Sequence, residues 1–449
     1  MELGYNFFNR KELKSGVFPS VNDAVLSALG AYNQYNKLTL NERQEIIDAV
    51  KKKLLDKVEE IAYMTVKETD MGNVGDKIQK LTLAINKTPG VEDLITEVKT
   101  GDNGMTLYEL SSYGVICAIH PCTNPCATLI SNTIGMLAAG NSVVHCPHPR
   151  AVNVSKYVTE IISVAIRETC GIDNLVVTLN EISITCTDEI MSHPDIAMIV
   201  TTGGNNVLRQ AMSSGKKVIG AGPANPTTIV DETADIKKAA RDIVKGASFD
   251  NNIMCISEKS IVVVDCIADS LVEELIRNDV YYVNNDEEML KLTRATLTND
   301  ITLNKILEGK SANEILAKAD IKCERYIRLI VVNTIKQHPF ATVEMLMPLI
   351  PLIRVKNFEV ALETAIEIEQ GFRHTATIHS QSIDRLNIAA KEMQTSVFVK
   401  NGSSLVGIGV NGEGDTSFTI ATATGEGTTT ARHFARRRRC SLTSGFSIR

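Results

Sequence analysis

Apolar positions in the first part of the chain recur every three or four places, with Lys and Glu between them. Ile46, Ile47, Val50, Leu54, Val58 and Ile61 form the clearest stripe and predict one long amphipathic helix. Ser20, with Asp23 three places on, predicts the start of a first helix; Thr39 with Glu42 predicts the start of the striped one. From about residue 114 the period changes, and short apolar runs alternate with helical stretches. Val115 to Ile119 reads as a buried strand, about Pro125 to Ala139 as a small-residue helix ended by Gly140 and Asn141, and Ser142 to His145 as the next strand. A helix over about Ala151 to Thr169 follows, then strands at Leu175 to Thr178, Ile196 to Thr201 and Lys217 to Ile219. Such alternation predicts βαβ units, hence an α/β fold with a doubly wound parallel sheet.

Near Asp231 to Ala234 the chain is expected to cross to a second domain. A helix around Ile236 to Lys245, a strand at Ser260 to Val264 and a helix at Asp269 to Ile276 open it, and the alternation continues to about residue 400. From Asn401 the sequence is rich in Gly and Thr and reads as extended or looped. The length, 449 residues, suits two or three domains.

Charge and composition narrow the function. The formal net charge of -6 disfavours a nucleic-acid partner. No apolar run approaches the roughly 18 residues that span a membrane. Met1 to Asn6 lacks the apolar core of a secretory signal. Ten scattered cysteines then read as free thiols in a reducing, cytoplasmic setting. Cys122 and Cys126 are spaced to share a helix face, but no further ligands stand at metal-like spacing, so no metal is expected.

Gly407-Ile408-Gly409-Val410-Asn411-Gly412 fits G-x-G-x-x-G, the dinucleotide fingerprint. That fingerprint works by opening a helix inside a βαβ unit. Here Glu413, Gly414, Asp415 and a Thr-rich run follow, so the segment reads as a plain glycine-rich loop.

An ordered set of short motifs is more informative. Pro121-Cys122-Thr123-Asn124-Pro125 lies between a strand and a helix, and Gly140-Asn141-Ser142-Val143-Val144 leads to Cys146-Pro147-His148-Pro149. Thr202-Gly203-Gly204 and Gly220-Ala221-Gly222-Pro223 each follow a strand. Phe249-Asp250-Asn251-Asn252-Ile253-Met254-Cys255 precedes Ser257-Glu258-Lys259, and Glu344-Met345-Leu346-Met347-Pro348 comes late. Together these resemble the aldehyde dehydrogenase superfamily, from about residue 17 onward. Thr88 to Leu94, Gly371-Phe372-Arg373-His374-Thr375-Ala376 and Gly425 to Thr429 resemble its CoA-acylating branch, especially the propionaldehyde and acetaldehyde dehydrogenases of bacterial microcompartments.

The resemblance implies an aldehyde dehydrogenase fold: a Rossmann-like dinucleotide-binding domain, an α/β catalytic domain and a small oligomerisation element. Residues 1–232 would hold the N-terminal helices and the NAD-binding domain, with an oligomerisation hairpin at 101–113. Residues 233–404 would form the catalytic domain, and 405–449 would return to the NAD-binding domain and end in an oligomerisation segment. The partners implied are NAD, coenzyme A, a small aldehyde, a second copy of the chain in a homodimer or homotetramer, and microcompartment shell proteins. Relatives often begin with an amphipathic encapsulation helix, which residues 1 to 20 do not resemble.

Roles carry over residue by residue. Cys255 would be the nucleophile, since a thiolate is reactive and a thioester is a good acyl donor; by itself a cysteine reads more readily as a packing residue. Asn124 would donate to the oxyanion, or merely precede a proline in a turn. Thr123, Pro147, His148, Thr202, Gly203, Gly204, Gly220, Ala221 and Gly222 would line the NAD site, and Glu344 would hold the nicotinamide ribose. Arg150, near the adenosine end, keeps NADP open. His374 would accept the CoA thiol proton, since the unperturbed pKa of an imidazole is near neutrality, or would be structural. Arg436 to Arg439 would form subunit-interface salt bridges. Relatives that make free acids carry a glutamate base after the strand matching Lys217 to Ile219; here Gly220-Ala221-Gly222 follows with no carboxylate. Two rivals remain at this stage: a hydrolytic enzyme giving free acid, and a non-catalytic scaffold or cargo protein.

Overall fold

The computed structural model describes residues 15–444 and residue 448. The expectations about a secretory signal and most of the encapsulation segment fall on residues 1–14, outside the described residues. β1 (Val17–Phe18) leads into α1 (Val21–Tyr35), where Ser20 Oγ accepts the Asp23 N–H at 3.2 Å. The apolar stripe predicted as one helix is two, α2 (Leu40–Leu55) and α3 (Val58–Thr69). The coil tightens after Leu55, where the Lys57 N–H reaches the Leu54 carbonyl, one residue short of the α-helical partner. Both helices face one core, with Ile46, Ile47, Val50, Leu54 and Ile61 buried in it. The apolar spacing therefore runs on through the break and hides it. Thr39 caps α2 in a full capping box with Glu42, and Asn73 caps α4 (Val74–Lys87).

β2 (Glu97–Gly101) and β3 (Gly104–Ser112) make an antiparallel hairpin, which starts upstream of the predicted one. Next in the chain come β4 (Val115–Ile119), α5 (Pro125–Ala138), β5 (Ser142–Cys146), α6 (Val152–Cys170) and β6 (Val176–Leu179). After these follow α7 (Ile184–Ser192), β7 (Ile196–Thr202), α8 (Asn205–Met212) and β8 (Lys217–Ala221). The strands form a parallel sheet in the order β1-β6-β5-β4-β7-β8. The chain winds outward from β4, then returns to β7 on the other side of it. Ligands bind beyond the carboxyl ends of strands at such a reversal.

β9 (Thr227–Val230), β10 (Ser260–Val264), β11 (Val280–Val283), β12 (Leu329–Thr334), β13 (Leu349–Val355), β14 (Thr375–His379) and β15 (Val397–Lys400) build a second parallel sheet, ordered β11-β12-β13-β10-β9-β14-β15. α9 (Ile236–Ser248) lies between β9 and β10. The crossing to this sheet thus falls between Ala221 and Thr227, ahead of the expected boundary at Asp231 to Ala234. Pro223 and Pro226 end the first ladder, because proline offers no N–H to it. Asp231 to Ala234 is instead the loop after β9.

The last stretch holds more structure than its composition predicts. It contains a 3₁₀ turn at Ser404–Ile408, the short pair β16 (Ile420–Ala421) and β17 (Gly427–Thr428), and a nine-residue strand, β18 (Ala435–Thr443). Ala421 and Phe434 pack with Ile116 and Ile219, so the chain returns to the first sheet. β18 then pairs antiparallel with β3 from Ala435 opposite Ser112 to Thr443 opposite Gly104. Arg437, from the arginine run, stacks 3.6 Å from the Tyr108 ring centre and pairs with Glu97. Among the described residues, no helix is long and apolar enough to cross a membrane.

Candidate active site

Cys255 sits on a loop built by an unusual backbone. Asp250, Asn251 and Asn252 are all left-handed, with φ of 48, 53 and 60°. Asp and Asn are the side chains that tolerate this region best after glycine, which accounts for the Asp-Asn-Asn sequence. The Asn252 side-chain amide donates to the carbonyls of Ala247 (2.7 Å) and Glu258 (3.0 Å). Lys259 Nζ donates to the Asn252 carbonyl at 2.6 Å and also to its Oδ1. The Cys255 loop is thereby pinned on both sides. Cys255 keeps part of its surface open, while Met254 and Ile256 beside it are buried.

The thiol belongs to one electrostatic cluster. Burial pushes Cys255 up to about 12; Glu344 adds to the rise, and Lys259 and Lys80 oppose it. Burial pulls Lys259 down to about 8 against the charges of Glu344, Cys255 and Glu258. Burial raises Glu344 to about 7, with Lys259 working against the rise. His374 is also buried. Burial, then the charge of Lys259, takes its imidazole down to about 4, and its Nδ1 lies 2.9 Å from Thr375 Oγ1. Burial thus favours the neutral form of the His374 imidazole. Glu258 is buried and accepts the Ser404 N–H (2.7 Å) and Oγ–H (2.8 Å); burial lifts it to about 7.

Asn124 occupies the N-cap position of α5, directly before Pro125. Its Oδ1 accepts a hydrogen bond from Lys80 Nζ at 2.5 Å, and its Nδ2 has only a 3.5 Å contact to Thr123 Oγ1. Lys80 also pairs with Asp250, and Lys77 reaches the same carboxylate at 2.9 Å. Cys122 lies in the loop and Cys126 on α5, so the two share no helix face. No metal-sized group of His, Cys, Asp or Glu assembles among the described residues.

The remaining candidate residues gather at the carboxyl ends of the first sheet. Thr202 ends β7 and bonds Thr419 through their hydroxyls at 2.9 Å; Gly204 is the N-cap of α8. A Cβ at Gly203 would come within 3.1 Å of Val207, whereas at Gly204 it would enter open space, the room a close-lying phosphate needs. At Gly220 a Cβ would strike Leu208 at 2.3 Å, and the Gly220 N–H donates to Thr424 Oγ1 at 2.9 Å. Ala221 ends β8 and Gly222 follows it, without a carboxylate. Buried Pro147 and half-buried His148 follow β5, and His148 Nδ1 accepts the Arg150 N–H at 3.1 Å. Arg150 is engaged by Glu308 at 3.1 Å and the Thr69 carbonyl at 2.9 Å. Glu344 approaches from the second sheet, on the loop before β13, where Leu346 has a φ of 24°. The Gly407 to Gly412 loop points carbonyls of Gly409 (2.7 Å) and Gly412 (3.0 Å) at Lys87 Nζ, a polarity suited to a cation and opposite to a phosphate cradle. A cavity of about 390 Å³ lies elsewhere, against β3 and β18, lined by Arg43, Glu109 and Arg438 among others.

Lys77, Lys80, Asp250, Glu258 and Lys259 carry charge into this site without having been singled out from sequence. Lys77 and Lys80 share the buried face of α4 with Leu81, Ala84 and Ile85. Two lysines on an apolar stripe were the available signal.

The pattern of the aldehyde dehydrogenase family matches residues 16–418. The chain belongs to that family. Among relatives of this aldehyde dehydrogenase, the propanal dehydrogenase (CoA-propanoylating) of Citrobacter freundii is 49% identical over 437 residues, 97% of this chain and 94% of its own. The crystal structure of Rhodopseudomonas palustris propionaldehyde dehydrogenase, with bound CoA and an acylated cysteine, superposes with a TM-score of 0.96 at 44% identity, covering 97% of this chain and 100% of that one. A propionaldehyde dehydrogenase from the Clostridium phytofermentans fucose utilisation bacterial microcompartment gives a TM-score of 0.95 at 42% identity, again over 97% and 100%. The fold is thus the aldehyde dehydrogenase fold of CoA-acylating enzymes.

Proposed function

We propose that this aldehyde dehydrogenase oxidises a short-chain aldehyde, of the propionaldehyde or acetaldehyde class, to acyl-CoA with NAD through a thioester on Cys255. The observation that carries the proposal is the partly open Cys255 thiol, clustered with Lys259 and Glu344. The close CoA-acylating relatives support the substrate class.

Lys259 is the main charge that stabilises the Cys255 thiolate as its proton leaves. The thiolate adds to the aldehyde carbonyl carbon, and the Asn124 amide N–H meets the oxygen that becomes negative. Thr123, Pro147, His148, Thr202 to Gly204, Gly220 to Gly222 and Glu344 would hold the dinucleotide, whose fit rests on the open space at Gly204. NAD, when bound, supplies the hydride acceptor. The acyl group remains on Cys255 as a thioester. With no carboxylate at Gly220 to Gly222, water lacks a base there, an aid typically worth about 10²–10⁴ in rate. The CoA thiol then attacks, acyl-CoA leaves, and His374, held neutral, takes the thiol proton. Aldehyde, NAD and CoA thus give acyl-CoA, NADH and one proton.

The first sheet serves as the NAD-binding domain and the second as the catalytic domain. The β18-β3-β2 sheet serves as the oligomerisation element of a homodimer or homotetramer. The microcompartment relative supports a place inside such a compartment, beside its shell proteins. NADH formation with propionaldehyde and NAD, followed with and without CoA, tests the function. Turnover should require CoA and vanish in Cys255→Ala; steady turnover without CoA would sink the proposal.

A further inference from the structure

We infer that Lys80 is a positioning residue that fixes which end of the Asn124 amide faces the reacting carbonyl; this rests on the oxyanion role proposed for Asn124. An ammonium has three donors and no acceptor. Lys80 Nζ, 2.5 Å from Asn124, therefore holds the amide oxygen and leaves the NH₂ as the free end. Among the described residues that NH₂ has no stronger partner than a 3.5 Å contact to Thr123 Oγ1, so it remains available as a donor. A flipped amide would set its NH₂ against a cation and offer oxygen to an oxyanion. Both contacts would be repulsive.

The device is anchored by Asp250, from the Cys255 loop. Asp250 is fully buried and takes Lys80 on Oδ2 and the Asn73 N–H on Oδ1 at 3.1 Å, while its own N–H donates to Asp76 Oδ2 at 2.8 Å. Gly72 makes room for it: a Cβ there would lie 1.9 Å from Asp250 Oδ1, and Gly72 has a φ of +71°. Lys77 shares the carboxylate at 2.9 Å, so an ion pair persists if Lys80 loses its charge. The loop that carries the nucleophile and the helix that aims the oxyanion donor are thereby joined through one carboxylate. Lys80 acts on the developing oxyanion through Asn124, and its direct influence on the Cys255 thiol is the smallest of those acting there.

A double-mutant cycle tests this, with kcat and KM measured for propionaldehyde, NAD and CoA. Lys80→Met should lower kcat by about 10²-fold, the scale of losing one oxyanion donor, with KM for the aldehyde within about twofold. In an Asn124→Ala background the same change should cost less than about threefold, because the group it aims is gone. Lys80→Gln, which keeps an N–H donor without charge, should recover most of the loss. If Lys80→Met does not fold, Lys80→Gln is read in the same cycle, where a full loss equal to that of Asn124→Ala overturns the inference. Equal losses from Lys80→Met in both backgrounds would overturn it, since a structural lysine acts regardless of Asn124. If Asn124→Ala alone leaves kcat unchanged, the oxyanion reading itself fails. If Asn124→Ala is damaging while Lys80→Met is harmless, the positioning inference alone fails.

Discussion

Cys255 must become a thiolate in surroundings that resist the charge. Burial and Glu344 hold the thiol high, and Lys259, a backbone hydrogen bond and, least, Lys80 oppose them. With the pKa raised, the thiol form dominates at neutral pH, and the reactive fraction grows as pH rises. Alkylation of the free enzyme by neutral iodoacetamide should therefore climb continuously from pH 7 to 10; a plateau below pH 8 would mean that a thiolate already stands in the resting site. His374 belongs to the same cluster, yet stays uncharged. His374→Ala should keep the first burst of NADH and slow steady CoA-dependent turnover by about 10²-fold or more; loss of the burst would place His374 in the oxidation step instead. Cys255, Asn124 and Glu344 could be picked from sequence because each lies in a short motif of fixed order. Lys259, Lys80 and Asp250 could not be assigned, because their importance comes from burial beside partners on distant segments. Lys80 and Asp250, for example, are 170 residues apart.

At the scale of elements, α4 places Lys77 and Lys80, so its cap bears on catalysis. Asn73 Oδ1 accepts the Asp76 N–H at 2.9 Å, and Asp76 in turn receives the N–H of Asp250. Asn73→Ala should cost about 1 kcal/mol in stability, the usual loss of an N-cap side chain. It should also lower kcat, measured beside the melting temperature. A fall in melting temperature with kcat unchanged would show that the helix start does not reach the site. Elements were legible wherever one face meets one core: β4 and β10 are fully buried runs and match their predicted bounds. The break between α2 and α3 was not legible, because both helices present the same apolar spacing to a shared core. The nine-residue strand β18 was hidden for the opposite reason. Its side chains after Ala435 are exposed, so no buried face patterns Arg436 to Thr443.

Across the described residues, two parallel sheets meet at the segment between Ala221 and Thr227, and the three-stranded sheet is closed by β18. Removing residues 435–449 strips β3 of its partner along nine residue pairs. Light scattering should then report a smaller assembly or aggregation than for the full chain. An unchanged mass would separate this sheet from oligomerisation.

That closure also sets an order of events at the ribosome. Thr106 and Ser441, hydrogen-bonded at 3.0 Å, are 335 residues apart in the chain. At about 5–20 residues per second, β3 emerges roughly 20 to 70 s before β18 exists to cover it. For that interval one edge of the hairpin is an open template for another nascent chain. Lys99 and Glu97 on β2 and Glu109 on β3 put charge along the waiting hairpin, the kind of feature that discourages edge-to-edge pairing until the last strand arrives.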